Sequence, residues 1–335
     1  MKWQWKLGRF LGIDVYVHAT FLILIGWVGY SYWLEHGTIA EVVNGILFIL
    51  ALFLCVVLHE YGHALTARKY GIKTRDITLY PIGGVARLER MPDKPIEELW
   101  VALMGPAVNV VIAAGLFAVL AATGNLVPLT GLSIASGSFL MRLMIVNISL
   151  VLFNLIPAFP MDGGRVLRAL LAMRMDHVRA TQVAASIGQG IAFLFGFIGL
   201  FSNPFLLFIA FFVYIGASQE ASMALMKDSI GGIPVTRAML TDFKTLSPRD
   251  TLAQVVGLVL AGSQHDFPVV DANGVVMGIL ERDEFIAALA RQGQSAPVVG
   301  VMRKDLPSVD SHDMVESAVA RLQESGAKTL PVMHG

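Results

Sequence analysis

Long apolar stretches constrain this chain more than any other feature of its sequence. Crossing the hydrocarbon core of a bilayer, which is about 30 Å thick, takes about 20 consecutive apolar residues in a helix. Only 15% of the residues are charged, against roughly a quarter in soluble domains. We therefore predict an α-helical, multi-pass protein of the cell membrane, with the lipid bilayer as a partner and about six transmembrane helices. The predicted spans are residues 18–34, 42–66, 98–122, 139–158, 184–201 and 204–226.

The distribution of Lys and Arg predicts the orientation of these spans, because short cytoplasmic loops are enriched in basic residues. Basic residues precede the first span and occur between the second and third and between the fourth and fifth. The alternate loops, at 35–41, 123–138 and 202–203, contain no Lys or Arg. We expect both termini to be cytoplasmic. The formal net charge of zero gives no reason to expect a nucleic-acid partner.

The composition changes after the sixth span. Gly231, Gly232 and Pro234 indicate a linker at residues 227–234, so that residues 1–226 form the membrane domain. The remainder contains an internal repeat, since the sequence FPVV at 267–270 recurs as LPVM at 330–333. Each copy is predicted to contain a short strand, an amphipathic helix and an apolar strand.

This repeat resembles a pair of CBS modules, a soluble α/β fold. The first module is expected at residues 235–290 and the second at 297–335, where the closing strand and helix seen at 278–289 of the first are missing. Because CBS pairs commonly associate, we expect a homo-oligomer through this region. Nucleotide binding is expected to be weak or absent, because Glu281 and Glu284 stand where nucleotide-binding modules carry a hydroxyl and an Asp. Asp283 argues against this expectation, because a shift of one residue could bring it to the position of that Asp.

The second span carries the sequence HEYGH at residues 59–63. Two histidines four residues apart project from one face of a helix, so His59 and His63 can reach one metal ion. Glu60 lies on the adjoining side, where it can accept a proton from a zinc-activated water. Ionisable residues in an apolar span are costly and indicate function. The alternative is a His–Glu pair that satisfies itself within a helical bundle.

A catalytic zinc usually has three protein ligands, and Asp162 is the candidate for the third. It follows the fourth span, at the same expected end as His63. Cys55 lies one helical turn before His59 and is the other candidate, although a buried free cysteine more often packs as a small apolar residue.

Together, HEYGH at 59–63 and NLIPAFPMDG at 154–163 resemble the motifs of the site-2 protease family of intramembrane metalloproteases, in its CBS-containing branch. The resemblance implies one Zn²⁺ per chain on His59, His63 and Asp162, with Glu60 as general base. It also implies a catalytic core formed by the spans 42–66, 98–122 and 139–158. The implied substrates are membrane-tethered proteins, such as transcription regulators or anti-sigma-like proteins, cut near the cytoplasmic face in regulated intramembrane proteolysis.

Other polar residues have two interpretations each. Asn154 matches the family's Asn, which implies a donor to the substrate carbonyl or the oxyanion, or it forms a helix–helix hydrogen bond. Asn109 resembles a further family motif, which implies a function, or it serves helix packing. His18 either caps or gates the first span, or is an interfacial polar residue.

Residues 77–89 alternate polar and apolar side chains around Gly83 and Gly84, which predicts a β-hairpin. Its edge could pair with an extended substrate, or it could be a surface hairpin without substrate contact. The whole sequence favours a zinc endopeptidase. The alternative functions are a CBS-regulated membrane transporter, a metal sensor, or an inactive relative that only binds tethered proteins.

Overall fold

The computed structural model describes residues 3–125 and 137–333. The chain divides into two compact units, Met1–Ala224 and Leu225–Gly335. Each unit is built around its own buried residues.

The first unit is dominated by helices. Of the helices in the described residues, four are long and apolar enough to cross a membrane: α2, α3, α6 and α7. Helices α1 and α4 are apolar but have only 17 and 16 residues. The multi-pass helical architecture is confirmed, while the number of six spans stays a prediction. The helices are α1 (Thr20–His36), α2 (Ile39–Lys69), α3 (Pro95–Ala122), α4 (Phe139–Asn154), α5 (Asp162–Ala172), α6 (His177–Phe201) and α7 (Pro204–Ile230).

Two helix boundaries differ from the sequence prediction for physical reasons. Helix α4 ends at Asn154 rather than at residue 158, because the chain enters a loop that contains Pro157 and Pro160, and proline cannot continue a helix without losing a hydrogen bond. Helix α6 is longer than the predicted 184–201, because the carboxylate of Asp176 caps its start by accepting from the Arg179 N–H at 2.9 Å.

Helix α7 continues to Ile230, so the first residues of the predicted linker at 227–234 are helical. Within the first unit, α6 and α7 also share a polar contact. The Gln189 amide of α6 donates to the Ser218 hydroxyl of α7 at 3.0 Å, which satisfies a polar side chain within a largely apolar helix.

A four-stranded sheet covers one side of α2. Its strands are β1 (Gln4–Phe10), β2 (Ile13–His18), β3 (Thr74–Tyr80) and β4 (Gly83–Leu88), in the order β1-β2-β3-β4. The pair β2–β3 is parallel and the other two pairs are antiparallel. The predicted hairpin at 77–89 is confirmed as β3–β4.

The strands β1 and β2 were not predicted, and the prediction that the first span begins at residue 18 is wrong, since His18 ends β2 and α1 begins at Thr20. The signal was present in the sequence. Ile13, Val15 and Val17 alternate with polar residues and are all buried, as expected for a strand with one face in the core. Ile13 and Val15 pack with side chains of α2, which fixes the sheet against the helix that carries the HEYGH sequence.

The second unit contains the repeat. Leu252, Phe267, Leu280 and Val298 form its apolar core. Strands β5 and β6 pair in antiparallel fashion, and β7 and β8 pair in parallel. Both copies contain the helix and the apolar strand expected from the sequence. The elements are α8 (Leu252–Ala261), β5 (Phe267–Val270), β6 (Val276–Leu280), α9 (Arg282–Gln292), β7 (Val309–Asp310), α10 (Val315–Ser325) and β8 (Val332–Met333).

Candidate metal centre

Three side chains from two helices converge in the first unit. His59 and His63 lie one turn apart on α2, and their Nε2 atoms are 3.1 Å apart. Asp162 is the first residue of α5, and its Oδ2 lies 3.1 Å from His59 Nε2 and 3.2 Å from His63 Nε2. All three residues are buried, at 7%, 4% and 7% exposure. The structure thus brings together the three residues that were predicted from the sequence as metal ligands.

Hydrogen bonds to the other ring nitrogens orient both imidazoles. His63 Nδ1 donates to the Val101 carbonyl oxygen at 2.7 Å, which leaves Nε2 free as a metal ligand. His59 Nδ1 donates to Asn109 Oδ1 at 2.8 Å, and the Asn109 amide donates in turn to Asn147 Oδ1 at 3.0 Å. Such outer partners fix the tautomer and the ring orientation of metal-binding histidines.

Asn109 and Asn147 are both fully buried. Asn147 donates to the Leu143 carbonyl oxygen at 2.8 Å, so the chain of hydrogen bonds runs from α2 through α3 into α4. For Asn109, contact with His59 favours the functional interpretation over simple packing. Asn147 was missed by the sequence analysis, because no local pattern connects it to His59.

A glycine on α3 makes room for the two imidazoles. A Cβ atom at Gly105 would lie 2.1 Å from His63 Nε2 and 2.7 Å from His59 Nε2. These distances are far inside van der Waals contact, so any larger residue would displace the donor atoms. The space beside the three donor atoms therefore depends on the absence of a side chain at residue 105.

The donor set fits zinc. Two imidazole nitrogens and one carboxylate oxygen form a common set of protein ligands in catalytic zinc sites. Atoms bound to a tetrahedral zinc at about 2.0–2.1 Å lie about 3.3 Å from each other, and the observed separations of 3.1–3.2 Å are close to this value. Within the described residues, this is the group of His, Cys, Asp and Glu side chains that could hold a metal ion.

Cys55 is not part of this group. It is buried with Phe48 and Leu143 in an apolar cluster, and its Sγ accepts from the Asn147 amide at 3.5 Å. The packing interpretation of Cys55 is therefore the one that the structure supports.

The side chain of Glu60 extends from α2 to the edge of the sheet at β4. Its Oε2 accepts a hydrogen bond from the backbone N–H of Ala86 in β4 at 3.2 Å. A Cβ at Gly84 would come within 3.0 Å of Glu60 Cγ, so a glycine in β4 permits this close approach. The carboxylate is thus held by the strand that passes over it.

Two further candidates have separate positions. Asn154 is the last residue of α4 and is half-buried; its catalytic role stays a prediction. His18 Nδ1 lies 2.8 Å from Thr20 Oγ1 and accepts the Thr20 N–H at 3.3 Å, which satisfies an N–H group at the start of α1. The capping interpretation of His18 is consistent with these contacts.

A buried ion-pair network anchors the helix that carries Asp162. The Arg168 guanidinium of α5 donates to Glu98 Oε1 of α3 at 2.7 Å and to Glu220 Oε2 of α7 at 3.1 Å. Arg168 is one of the basic residues between the fourth and fifth predicted spans, and it does not lie in a loop there, because residues 162–172 form a helix in which Arg168 is buried. Its contacts tie α5 to two other helices.

Comparisons with known proteins agree with this geometry. The model of peptidase family M50, the site-2 protease family, matches residues 47–135 and 129–197, and the CBS domain model matches residues 235–291. A zinc metalloprotease of Methanocaldococcus jannaschii is 34% identical over 282 residues, covering 84% of this chain and 78% of that protein. Rip3 of Mycobacterium tuberculosis is 29% identical over 347 aligned positions, covering 95% of this chain and 84% of that protein.

The solved structure of a site-2 protease from M. jannaschii shares 34% identity with this chain, covers 72% of it and 99% of its own length, and superposes with a TM-score of 0.48. The sequence relatives carry the assignment by themselves, since identity above 30% extends over most of both proteins. The chain therefore belongs to peptidase family M50, the site-2 protease family, as a multi-pass membrane zinc metalloprotease with a CBS domain.

Proposed function

We propose that this protein is an intramembrane endopeptidase that hydrolyses peptide bonds of membrane-tethered proteins near the cytoplasmic face. The observation that supports this most directly is the burial of His59, His63 and Asp162 against one another. Two of the three lie on α2, a helix of 31 residues that is apolar enough to cross a membrane. Burying ionisable groups in such a helix costs free energy, so their presence there indicates a function.

His59, His63 and Asp162 hold one zinc ion in this proposal, and zinc in such a site polarises a carbonyl oxygen and lowers the pKa of water. Glu60 accepts the proton of the attacking water and delivers it to the leaving amine as general base and then general acid. Asn154 donates a hydrogen bond to the developing oxyanion. Asn109 and Val101 keep the two imidazole rings in the ligand orientation through their hydrogen bonds.

The outer edge of β4 is a suitable binding surface for an extended substrate. β4 is the last strand of the sheet, and the Ala86 N–H points away from β3, toward Glu60. A polypeptide that adds to this edge by strand pairing would lie beside the catalytic carboxylate. It would also compete for the Ala86 N–H and so release Glu60 to act as a base.

The proposed partners are membrane-tethered regulators of transcription or anti-sigma-like proteins, cleaved in regulated intramembrane proteolysis. The α/β unit is proposed to contribute a homo-oligomer contact or a docking surface for such substrates. We propose that α2 ends on the cytoplasmic side, because its last turn carries the basic residues Arg68 and Lys69 and basic loops favour that side. With six spans, both termini are then cytoplasmic.

The test of the catalytic proposal is Glu60→Gln in the full-length protein in membranes. The amide removes the base and no zinc ligand, so proteolysis should fall by roughly 10²- to 10⁴-fold while zinc content stays the same. The matched control is Glu41→Gln, in the first turn of the same helix, which should keep full activity. Substrates trapped by the Glu60→Gln protein can be identified by mass spectrometry. Near-normal turnover in Glu60→Gln would refute the mechanism.

The orientation is tested by reporter fusions. Fusions after Trp33 and after Gly124 should report the outside of the cell, and a fusion after Lys94 should report the cytoplasm. An outside signal at Lys94 would reverse the orientation and place the metal centre near the opposite face.

A further inference from the structure

A polar cavity of about 270 Å³ lies where the end of α2 meets the sheet. Strand β1, the β1–β2 turn, the last turn of α2 and the start of β3 all contribute to its wall. The metal centre does not use these side chains. The charged residues that line the cavity are Arg9, Asp14, Arg68, Lys73, Arg75 and Glu89.

Cations exceed acids in this cavity. Four of the six charged lining residues are Lys or Arg, and the acid Asp14 is shared between two cations, since its Oδ1 lies 2.7 Å from Lys6 Nζ and 3.8 Å from Arg9 Nε. Arg68 is held in place, since its Nη1 donates to the Leu11 carbonyl oxygen at 2.8 Å. The cavity therefore presents a fixed guanidinium and a surplus of positive charge to any ligand that enters it.

A hydroxyl group in the wall also lacks a partner. Thr74 Oγ1 is buried and has no hydrogen-bond partner within the described residues. Buried polar atoms are nearly always hydrogen-bonded, so this hydroxyl is available to a water molecule or a ligand at the cavity wall. A hydroxyl donor beside guanidinium and ammonium groups suits the oxygen atoms of a phosphate group, which accept charge-assisted hydrogen bonds.

The strand next to the cavity has the composition of a membrane interface. On β1, Trp5, Leu7 and Phe10 are 52–58% exposed, and exposed apolar patches of this kind mark membrane or protein contacts. Tryptophan is enriched at the level of the lipid headgroups. Lys6 and Arg9 alternate with these apolar residues on the same strand. The exposed apolar side chains of β1 therefore indicate that this strand and the cavity beside it lie at the level of the lipid headgroups.

We propose that this cavity binds the phosphate group of an anionic membrane lipid, with Arg68, Lys73 and Thr74 as the principal contacts. The lipid tails extend along the exposed apolar side chains of β1, and the headgroup phosphate enters the cavity. Arg68 lies on the helix that carries His63, just beyond it in the chain. A lipid bound there braces the end of the metal-binding helix, which makes protease activity dependent on the lipid composition of the membrane.

The test uses full-length protein in a neutral detergent, titrated separately with short-chain phosphatidylglycerol, short-chain phosphatidylcholine and inorganic phosphate. Native mass spectrometry counts the bound molecules. Lys73→Gln and Arg68→Gln remove cavity cations, and Lys69→Gln is the matched control, because Lys69 is an exposed cation on the same helical turn that does not line the cavity. Since each cation near an anionic lipid contributes on the order of 1 kcal/mol, each cavity variant should weaken phosphatidylglycerol binding roughly fivefold.

The expected result is one tightly retained phosphatidylglycerol, weakened by Lys73→Gln and Arg68→Gln and unchanged by Lys69→Gln, with phosphatidylcholine bound more weakly. Equal binding of both lipids, or an equal loss with Lys69→Gln, would overturn the proposal, because binding would then be unspecific. Inorganic phosphate that binds as tightly as phosphatidylglycerol would show that the ligand is a free phosphate and overturn the lipid assignment. Thr74→Val, which keeps the shape of the side chain, tests the hydroxyl contact without removing charge, and binding unchanged by it would remove Thr74 from the site.

Discussion

The first unit contains a buried cluster of ionisable side chains, and the second contains a cluster around the buried Glu281 whose other members, Asp283 and Lys328, are exposed. At the metal centre, three donor atoms point at one another across about 3 Å, and the Arg165 guanidinium lies 4.0 Å from the other carboxylate oxygen of Asp162. In the second unit, carboxylates meet donors from the same unit. Glu281 Oε1 accepts the Lys328 backbone N–H at 3.2 Å and lies 3.8 Å from Arg303 Nη1.

The Thr329 hydroxyl donates to Asp266 Oδ2, and the Lys328 ammonium pairs with Asp283. Together with the Glu281 contacts, these bonds join the two copies of the repeat within the unit. A ligand site and a structural cluster therefore differ in what surrounds each charged group. A structural cluster pairs each acid with a hydrogen-bond donor of the protein, whereas a ligand site gathers several atoms that can all bind the same ion. Only an ion or substrate from outside completes the second arrangement.

The largest effect is expected from removing the third donor of the metal centre. Asp162→Ala leaves two histidines, so zinc affinity should fall by more than about 100-fold, beyond what the loss of an outer-shell partner costs, and activity should fall with it. Metal analysis of the purified protein measures the zinc content. Asp93→Ala is the control, because Asp93 is an exposed acid that pairs with Arg90. A full complement of zinc in Asp162→Ala would mean that the third ligand lies elsewhere.

The space between the donor atoms can be tested without changing any ligand. Gly105→Ala places a methyl group within 2.1 Å of His63 Nε2, so it should displace both imidazoles and lower zinc affinity roughly 10- to 100-fold, as the loss of ring orientation does. Gly115→Ala is the matched control on the same helix, because a Cβ there meets nothing within 4 Å. Isothermal titration of the metal-free proteins with Zn²⁺ compares the two. Equal affinities would show that the site can shift to accept the methyl group.

Local sequence patterns were sufficient to identify the three candidate ligands that the structure brings together, and not to identify the residues that surround them. His59 and His63 share one helix, so their spacing alone places them side by side, and Asp162 followed from a motif and from membrane depth. The contacts of Asn147 and Arg168 depend on how separate helices pack, and the spacing of residues in one segment carries no information about this. Both residues were therefore missed or misplaced.

The strands β1 and β2 were missed for a different reason. Their alternation of apolar and polar residues was present in the sequence, but this segment was interpreted only as a basic stretch before the first span. The parallel pairing of β2 with β3 joins residues that are about 60 positions apart. The membrane helices could be identified because the length and hydropathy of each segment suffice to predict it. The sheet could not, because it depends on pairing between distant segments.

The smallest effect is expected in the second unit, where adenine nucleotide should bind weakly or not at all at the site shaped by the first repeat. Glu281 is buried, and its carboxylate already accepts the Lys328 N–H. A phosphate in its place would meet a negative charge of the same sign, and Asp283, which could have served the ribose, is paired with Lys328. Calorimetric titration of the full-length protein, and of residues 228–335, with ATP and AMP should show no micromolar binding. Glu316→Ala, in the first turn of α10, is the control for Glu281→Ala. Micromolar binding that is lost in Glu281→Ala and kept in Glu316→Ala would show that Glu281 holds the nucleotide, and the second unit would then contain a ligand site of the same kind as the first.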